Sequence, residues 1–153
     1  MLHIYIDADA CPVKDEVYRV ATRYGLNVTL VAGSWMRTPE EPRVALRVVG
    51  GGIDAADDWI VEHVGAGDIV VTADIPLAAR CLAKEATVIG TTGRPFTTAN
   101  IGDALAARGL HSELRELGER TSGPAPFTAR DRSRVLQSLD DAVVAIRRRA
   151  GAP

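Results

Sequence analysis

The stretch GDIVVTADIPLAA, residues 67–79, has the form of a buried strand, an acidic residue and a helix start. Its run from Ile69 to Thr72 is short, apolar and β-branched, which is typical of a strand buried in a parallel sheet. Asp74 follows this run, and Pro76 suits the first turn of a helix. The stretch therefore predicts a parallel strand that brings a carboxylate to the carboxyl edge of a sheet.

The opening stretch LHIYIDADACPV, residues 2–13, repeats this form. Apolar residues at positions 2, 4 and 6 alternate with other types, which predicts a strand that ends at Asp7. Pro12 suits the start of a helix, and Gly25 is a suitable residue to end it. The chain therefore begins with a second unit of strand, acid and helix.

Strands and helices alternate along the rest of the chain. The patterns predict strands at residues 27–31, 44–49 and 87–89, a loop at 90–95, and helices at 54–64, 76–83, 98–108, 111–117 and 128–149. Such alternation favours an α/β fold with a mostly parallel sheet. We expect one domain over residues 1–153, in which 121–153 form a turn-rich connector and a basic C-terminal helix.

The composition excludes several classes of protein. The chain has 153 residues, of which 46% are hydrophobic and 25% charged, as in ordinary globular domains. No apolar run reaches the roughly 18 residues of a membrane span, and the N-terminus lacks the basic start of a signal peptide. Cys11 and Cys81 stand far apart, which favours free thiols in a reducing compartment. We therefore expect a cytoplasmic protein with no membrane partner, and neither a disulfide scaffold nor a zinc ribbon.

The net charge of −2 is unevenly distributed. Residues 120–153 contain seven arginines and three aspartates, a net charge of +4. Residues 1–119 contain 11 basic and 17 acidic residues, a net charge of −6. The overall balance is not that of a typical nucleic-acid-binding protein. It is compatible with a local basic surface beside an acidic pocket, or simply with the solvated faces of a C-terminal helix.

Acidic residues stand at two strand ends and in one helix start: Asp7, Asp9 and Asp74, and then Asp54, Asp57 and Asp58. Ligands of parallel α/β sheets bind outside the carboxyl ends of the strands, so these groups are candidates for one pocket. Two carboxylates about 4 Å apart repel by roughly 4 kcal/mol at an effective dielectric constant of 20. A cation would relieve that repulsion, and all-oxygen ligands suit Mg²⁺ or Mn²⁺.

Each acidic residue also has a structural interpretation. The three aspartates at 54, 57 and 58 could cap their helix, and Asp9 could cap the helix that follows it. Asp68 fits a turn, and Cys11 fits packing better than a reactive role, because acidic neighbours raise a thiol pKa. The Asp7-Ala8-Asp9 triplet also has the form found in phosphatases with an aspartate nucleophile.

Four blocks of sequence together resemble one family: IDADACPV at 6–13, DAAD at 54–57, GDIVVTADIPLAA at 67–79, and GP at 123–124 with RDR at 130–132. This is the YaiI/YqxD family of uncharacterised bacterial proteins, and the resemblance covers nearly the whole chain. It implies a three-layer α/β/α PIN-like fold. Active PIN-like proteins are Mg²⁺- or Mn²⁺-dependent nucleases, and many of them act on RNA.

The resemblance also implies which residues form the site. PIN-like nucleases use one acid at the end of the first strand, one on a central helix and one at the end of the fourth strand. These positions correspond to Asp7, to Asp57 in preference to Asp54, and to Asp74. The helical acid is commonly Glu in active members and is one methylene shorter here, and Asp9 is an additional acid of this family's motif.

The sequence and the resemblance together favour a metal-dependent phosphodiesterase acting on single-stranded RNA or a similar substrate. Asp7 and Asp74 are the expected direct ligands of Mg²⁺ or Mn²⁺. Asp57 is expected to bind a metal or to orient the attacking water, and Asp9 to act as a ligand or as a support for one. The catalytic residues predicted are thus Asp7, Asp57 and Asp74.

The basic segment supplies the expected contacts to nucleic acid. Arg130, Arg132 and Arg134 could bind phosphates, which is the sequence-independent part of such binding. Two other functions stay open: a non-catalytic PIN-like module that binds nucleic acid, and a small-molecule phosphatase with Asp7 as nucleophile. The oligomeric state is not predicted.

Overall fold

The fold is known from a computed structural model that describes residues 2–52, 54–107 and 128–151. Within these residues six strands form one sheet in the order β3-β2-β1-β4-β5-β6. All neighbouring pairs are parallel except β5 and β6. The strands are β1 His3–Asp7, β2 Asn27–Ala32, β3 Val44–Val48, β4 Ile69–Val71, β5 Thr87–Ile89 and β6 Pro95–Phe96.

Five helices accompany the sheet in the described part of the chain, and four of them cover its two faces. They are α1 Lys14–Tyr24, α2 Ala55–His63, α3 Ile75–Ala83, α4 at 101–107 and α5 Ala129–Arg149. One core joins α1 and α5 to Ile4 and Ile6 of β1, and a second core joins α2 and α3 to Tyr5 of the same strand. The expected three-layer α/β/α arrangement with a mostly parallel sheet is therefore confirmed.

The local signals in the sequence account for most of these elements. Alternate residues of β1 point to opposite faces, so both helix layers pack on one strand. The helix α1 ends at Gly25, whose φ of +66° is a left-handed conformation that favours glycine. Thr128 begins α5 with a capping box, in which its hydroxyl accepts from the Asp131 amide and the Asp131 carboxylate accepts from the Thr128 amide.

The strand order places the candidate site. The chain runs from β1 out to β3 and then returns across the sheet to β4 on the other side of β1. The gap between the carboxyl ends of β1 and β4 is therefore the topological switch point, where α/β proteins bind their ligands. Asp7 ends β1, and Asp74 lies three residues after β4.

The structure departs from the sequence-based predictions in a few places. Residues 95 and 96 form β6, an edge strand. The sequence patterns place residue 95 in a loop and assign no element to residue 96. The described part of α4 begins at residue 101 rather than 98. The predicted helix at 111–117 and connector at 121–126 lie outside the described residues. None of the helices among the described residues combines the length and apolar character that crossing a membrane requires.

Candidate metal and acid site

Asp7 is held in place by a buried threonine. Its Oδ2 accepts a hydrogen bond of 2.8 Å from the hydroxyl of Thr72, a fully buried residue that directly follows β4. The same hydroxyl oxygen accepts from the Asp74 amide at 2.9 Å. One side chain thus joins the ends of β1 and β4, and it fixes the side chain of Asp7 relative to the backbone of Asp74.

The sequence pattern predicts Thr72 only as part of a strand. The available signal was a hydroxyl residue at the end of an apolar run, two positions before a candidate acid. A buried hydroxyl requires hydrogen-bond partners, and here both partners belong to the candidate site.

Asp74 is the N-cap residue of α3. Its Oδ1 accepts from the Leu77 amide at 3.0 Å, and Pro76 occupies the first turn as expected. The cap keeps the carboxylate at the positive end of the helix dipole. The cap uses only Oδ1, so the second carboxylate oxygen of Asp74 takes no part in this contact.

The three aspartates at the start of α2 have different surroundings. Asp58 is exposed and pairs with Arg80 at 2.9 Å, which fits the interpretation as a solvated helix face. Asp54 is the exposed N-cap residue but makes no capping hydrogen bond with its side chain. Asp57 is half-buried, and the charges of both strand-end acids raise its pKa. Asp57 is therefore the helical acid whose pKa responds to the acids at the switch point.

Mutual repulsion marks Asp7, Asp57 and Asp74 as neighbours. Burial and, after it, the charges of the neighbouring aspartates 74, 7 and 54 together raise the pKa of Asp57 to about 6, against a smaller lowering effect of Arg80. Burial is also the main cause that raises the pKa of Asp7; the bond from Thr72 lowers it, and the charges of Asp74 and Asp9 add to the rise. The fold thus confines negative charge at the switch point, although bringing these groups together costs free energy.

This repulsion predicts an unusual pH dependence for the metal-free protein. The pKa of Asp57 is about 6 in the folded chain, against an ordinary aspartate value of 3.8, so the folded state binds the proton more tightly than the unfolded chain does. The associated stability is fully present below about pH 4 and is lost as the pH rises through about 6. After allowance for solvent screening, we expect a loss of about 1 kcal/mol between pH 5 and pH 7.

Urea unfolding in EDTA at pH 5 and pH 7 measures this loss. Asp57→Asn should flatten the profile by about 1 kcal/mol relative to wild type, whereas Asp58→Asn, on the same helix, should leave it unchanged. Equal pH dependence in wild type and Asp57→Asn would contradict the assigned repulsion.

The acids do not form a ready-made cage for a cation. Among residues 2–52, 54–107 and 128–151, no three His, Cys, Asp or Glu side chains are arranged to hold one metal ion together. Mg²⁺ does not require such a cage, because it keeps several waters and commonly binds one or two carboxylates together with substrate phosphates. The anchored Asp7 and Asp74 fit that mode of binding.

Asp9 has a definite structural role. It is exposed on a 3₁₀ turn, Ala8–Ala10, and its Oδ2 accepts from the Gly33 amide at 2.9 Å. The N-cap residue of α1 is Val13 and receives no side-chain cap, so Asp9 does not cap that helix. Asp9 ties the loop after β2 to the end of β1, and its role as a metal ligand stays a prediction.

The remaining residues follow their structural interpretations. Asp68 accepts from the amides of His3 and Gly65, as expected for a turn. Cys11 and Cys81 are both buried free thiols. Burial raises the pKa of the Cys11 thiol, and Asp7 is among the acids that raise it further, so the thiolate is disfavoured. These contacts favour packing over reactivity for Cys11.

The basic helix α5 begins at the same edge of the sheet as the acids. At its start, Arg132 pairs with Glu16 of the first turn of α1 at 3.0 Å. At its end, Arg147 donates to the Tyr24 carbonyl at 2.8 Å, at the last residue of α1. The two helices therefore run in the same direction, and both start near the carboxyl ends of the strands.

The three predicted phosphate contacts have different surroundings at this edge. Arg130 is exposed, and Arg134 lies 3.8 Å from Asp131 of the same helix. Arg132 is engaged by Glu16, whose residue is only 7% exposed and whose Oε2 has no hydrogen-bond partner. The pair Glu16–Arg132 was not predicted, because no local pattern relates residues 116 positions apart.

Comparison with known proteins places the whole chain in one group of sequences. The model of the uncharacterised YaiI/YqxD family matches residues 5–145. A UPF0178 protein of Rhodopseudomonas palustris strain CGA009 is 56% identical over 100% of this chain and 97% of its own length. A UPF0178 protein of Rhodospirillum centenum is 58% identical over 97% of this chain and 99% of its own length. No solved structure matches the chain.

Proposed function

The chain belongs to the uncharacterised YaiI/YqxD family, and we propose that it is a divalent-metal-dependent phosphodiesterase that cleaves single-stranded RNA. One observation carries the proposal: the Thr72 hydroxyl joins Asp7 to Asp74 at the topological switch point of the sheet, where the charges of both acids raise the pKa of Asp57. Such an arrangement is costly unless a cation compensates it. The PIN-like assignment of the fold and a cytoplasmic location are parts of the same proposal.

In this proposal Asp7 and Asp74 hold Mg²⁺ or Mn²⁺. The negative charge of Asp9, which raises the pKa of Asp7 in the metal-free protein, would add to the attraction for the cation. The bound ion would supply charge neutralisation on the phosphate and a more acidic water. Thr72 keeps the Asp7 carboxylate oriented while Asp74 caps α3. Both carboxylates are thereby fixed before substrate arrives, which saves reorganisation during the reaction.

Asp57 is the candidate for proton transfer. A pKa of about 6 lies near the working pH, where a carboxylate can both accept a proton and release it again. It stands in the first turn of α2, whereas the two proposed metal ligands follow strands of the sheet. We assign it the orientation of the attacking water and the removal of its proton.

The start of α5 supplies positive charge beside the acids. Arg130 and Arg134 would contact phosphates, and Arg132 would do so while it pairs with Glu16. Contacts of this kind do not read sequence, so we expect cleavage of single-stranded RNA without strong sequence preference.

A cleavage assay tests the proposal directly. Mixed-sequence RNA is incubated with protein in Mn²⁺, in Mg²⁺ and in EDTA, and the fragments are resolved on a gel. We expect cleavage with either metal and none in EDTA. Absence of metal-dependent cleavage would reject the hydrolase, and rapid turnover of p-nitrophenyl phosphate instead would support the phosphatase alternative.

One observation favours a second function, a non-catalytic module that binds nucleic acid. The described acids are not arranged as a three-residue cage, whereas α5 places arginines at the same edge. A binding module would show salt-dependent RNA affinity that is unaffected by Asp74→Asn, and it would show no cleavage.

A further inference from the structure

Trp35 is unusually exposed for its size. Its residue is 75% exposed, whereas the other described large hydrophobic residues that are exposed, Val48 and Leu105, reach 46% and 38%. The second tryptophan of the chain, Trp59, is half-buried and stacks on His63 with 3.7 Å between ring centroids. Trp35 therefore offers a large free aromatic surface to a partner.

The loop that carries Trp35 is anchored on both sides of it. Two residues before it, the Gly33 amide donates to Asp9 Oδ2 at 2.9 Å. Directly after it, Met36 packs against the core between the sheet and α1. The indole is thus presented to solvent by a fixed backbone, which lowers the entropy cost of binding to it.

The anchors also fix where the Trp35 loop starts relative to the acids. In β2, Val31 pairs with Asp7 in register, so the loop leaves the sheet at the edge where Asp7 ends β1. Asp9 bridges the two segments through Gly33. The loop that carries Trp35 therefore leaves the sheet beside the candidate acid site.

Charge distinguishes the two helix layers and indicates what would approach this rim. Within their helix bounds, α1 and α5 together carry nine basic and five acidic side chains, a net charge of +4. In contrast, α2 and α3 carry one basic and three acidic side chains, a net charge of −2. The Trp35 loop continues onto the α1 side, where Arg37 and Lys14 line one cleft together with the acidic Asp15. Four of the basic side chains, Arg23 and the arginines at 147–149, stand in the last turns of α1 and α5, away from the acids. The positive charge therefore attracts a polyanion along the length of this layer.

We propose that Trp35 is a stacking platform for one base of a single-stranded nucleic acid whose phosphates follow the α1–α5 layer toward the acids. Proteins that bind single strands commonly combine a basic track with aromatic rings, since every base has a face that can stack. The inference rests on the proposed function, because it names how the same site receives its substrate.

Fluorescence and affinity measured in EDTA test the platform without cleavage. In Trp59→Phe, Trp35 is the remaining tryptophan of the two in the chain. We expect a 12-nucleotide oligouridine to quench its emission, and an abasic strand of equal length and charge to bind without quenching. In the otherwise wild-type chain, Trp35→Ala and Trp35→Leu should weaken oligouridine binding about 5- to 150-fold, and Trp35→Phe should retain most of the affinity.

The outcomes separate this inference from the proposed hydrolysis. Quenching and weakened binding without any metal-dependent cleavage would support the platform and reject the hydrolase. Cleavage by wild type, with neither quenching nor weaker binding by Trp35→Ala, would keep the hydrolase and overturn the platform. A change from dimer to monomer in sedimentation of Trp35→Ala, with RNA affinity unchanged, would overturn it in favour of contact between copies of the chain.

Discussion

Asp7→Asn should lower metal-dependent RNA cleavage by about 10²- to 10³-fold, or roughly 3–4 kcal/mol of transition-state stabilisation. The substitution removes the charge of a direct metal ligand but keeps an oxygen that can accept from Thr72. In the metal-free protein the same substitution should be stabilising, because burial and the charges of Asp74 and Asp9 disfavour the ionised Asp7. We expect the melting temperature in EDTA to rise by about 2–4 °C.

These opposite signs distinguish a functional acid from a structural one. Asp74→Asn should lose activity similarly, since asparagine retains the cap of α3. Asp58→Asn, which removes only an exposed pair with Arg80, should keep activity within about twofold. The measurements are cleavage rates of the three variants with metal and their melting curves in EDTA. A lower melting temperature for Asp7→Asn than for wild type would contradict the assigned repulsion between the acids.

Gly93→Ala should destabilise the fold by about 3 kcal/mol or more. Gly93 has a φ of +90°, which an L side chain rarely adopts. A Cβ atom there would lie 2.6 Å from the backbone carbonyl carbon of Arg134 and 2.6 Å from its Cγ. Because the obstacle is backbone of α5, relief requires movement of the helix start that carries the predicted phosphate contacts. We therefore expect weaker RNA binding as well as lower stability.

Gly102→Ala is the matched control. No atom lies within 4 Å of the position where its Cβ would stand, and the residue belongs to α4. Alanine in a helix is favoured over glycine, so we expect stabilisation by about 0.5–1 kcal/mol. Urea denaturation of both variants measures the contrast, and a Gly93→Ala midpoint equal to that of wild type would mean that α5 does not pack on the loop between β5 and β6.

Local patterns in the sequence predicted most of the framework. The strand ending at Asp7, the helix ending at Gly25 and the long C-terminal helix are all confirmed, because each depends on side-chain periodicity and end signals within a few residues. The strand β6 was missed, since two residues on an edge leave no periodic pattern. The functional roles of the acids and arginines stay predictions.

The sequence by itself determined that this is an α/β protein with carboxylates at the ends of two parallel strands, since burial of alternate residues and turn chemistry are local properties. Only the tertiary structure decided that Thr72 links Asp7 to Asp74. For Asp57, which the family resemblance already favours over Asp54, it added that the strand-end acids raise the pKa. It also decided that α5 starts at the same edge and that Asp9 holds the Trp35 loop. The reason is physical: contacts between distant segments follow from the strand order and from the direction of each helix on the sheet, and no short stretch of sequence encodes either.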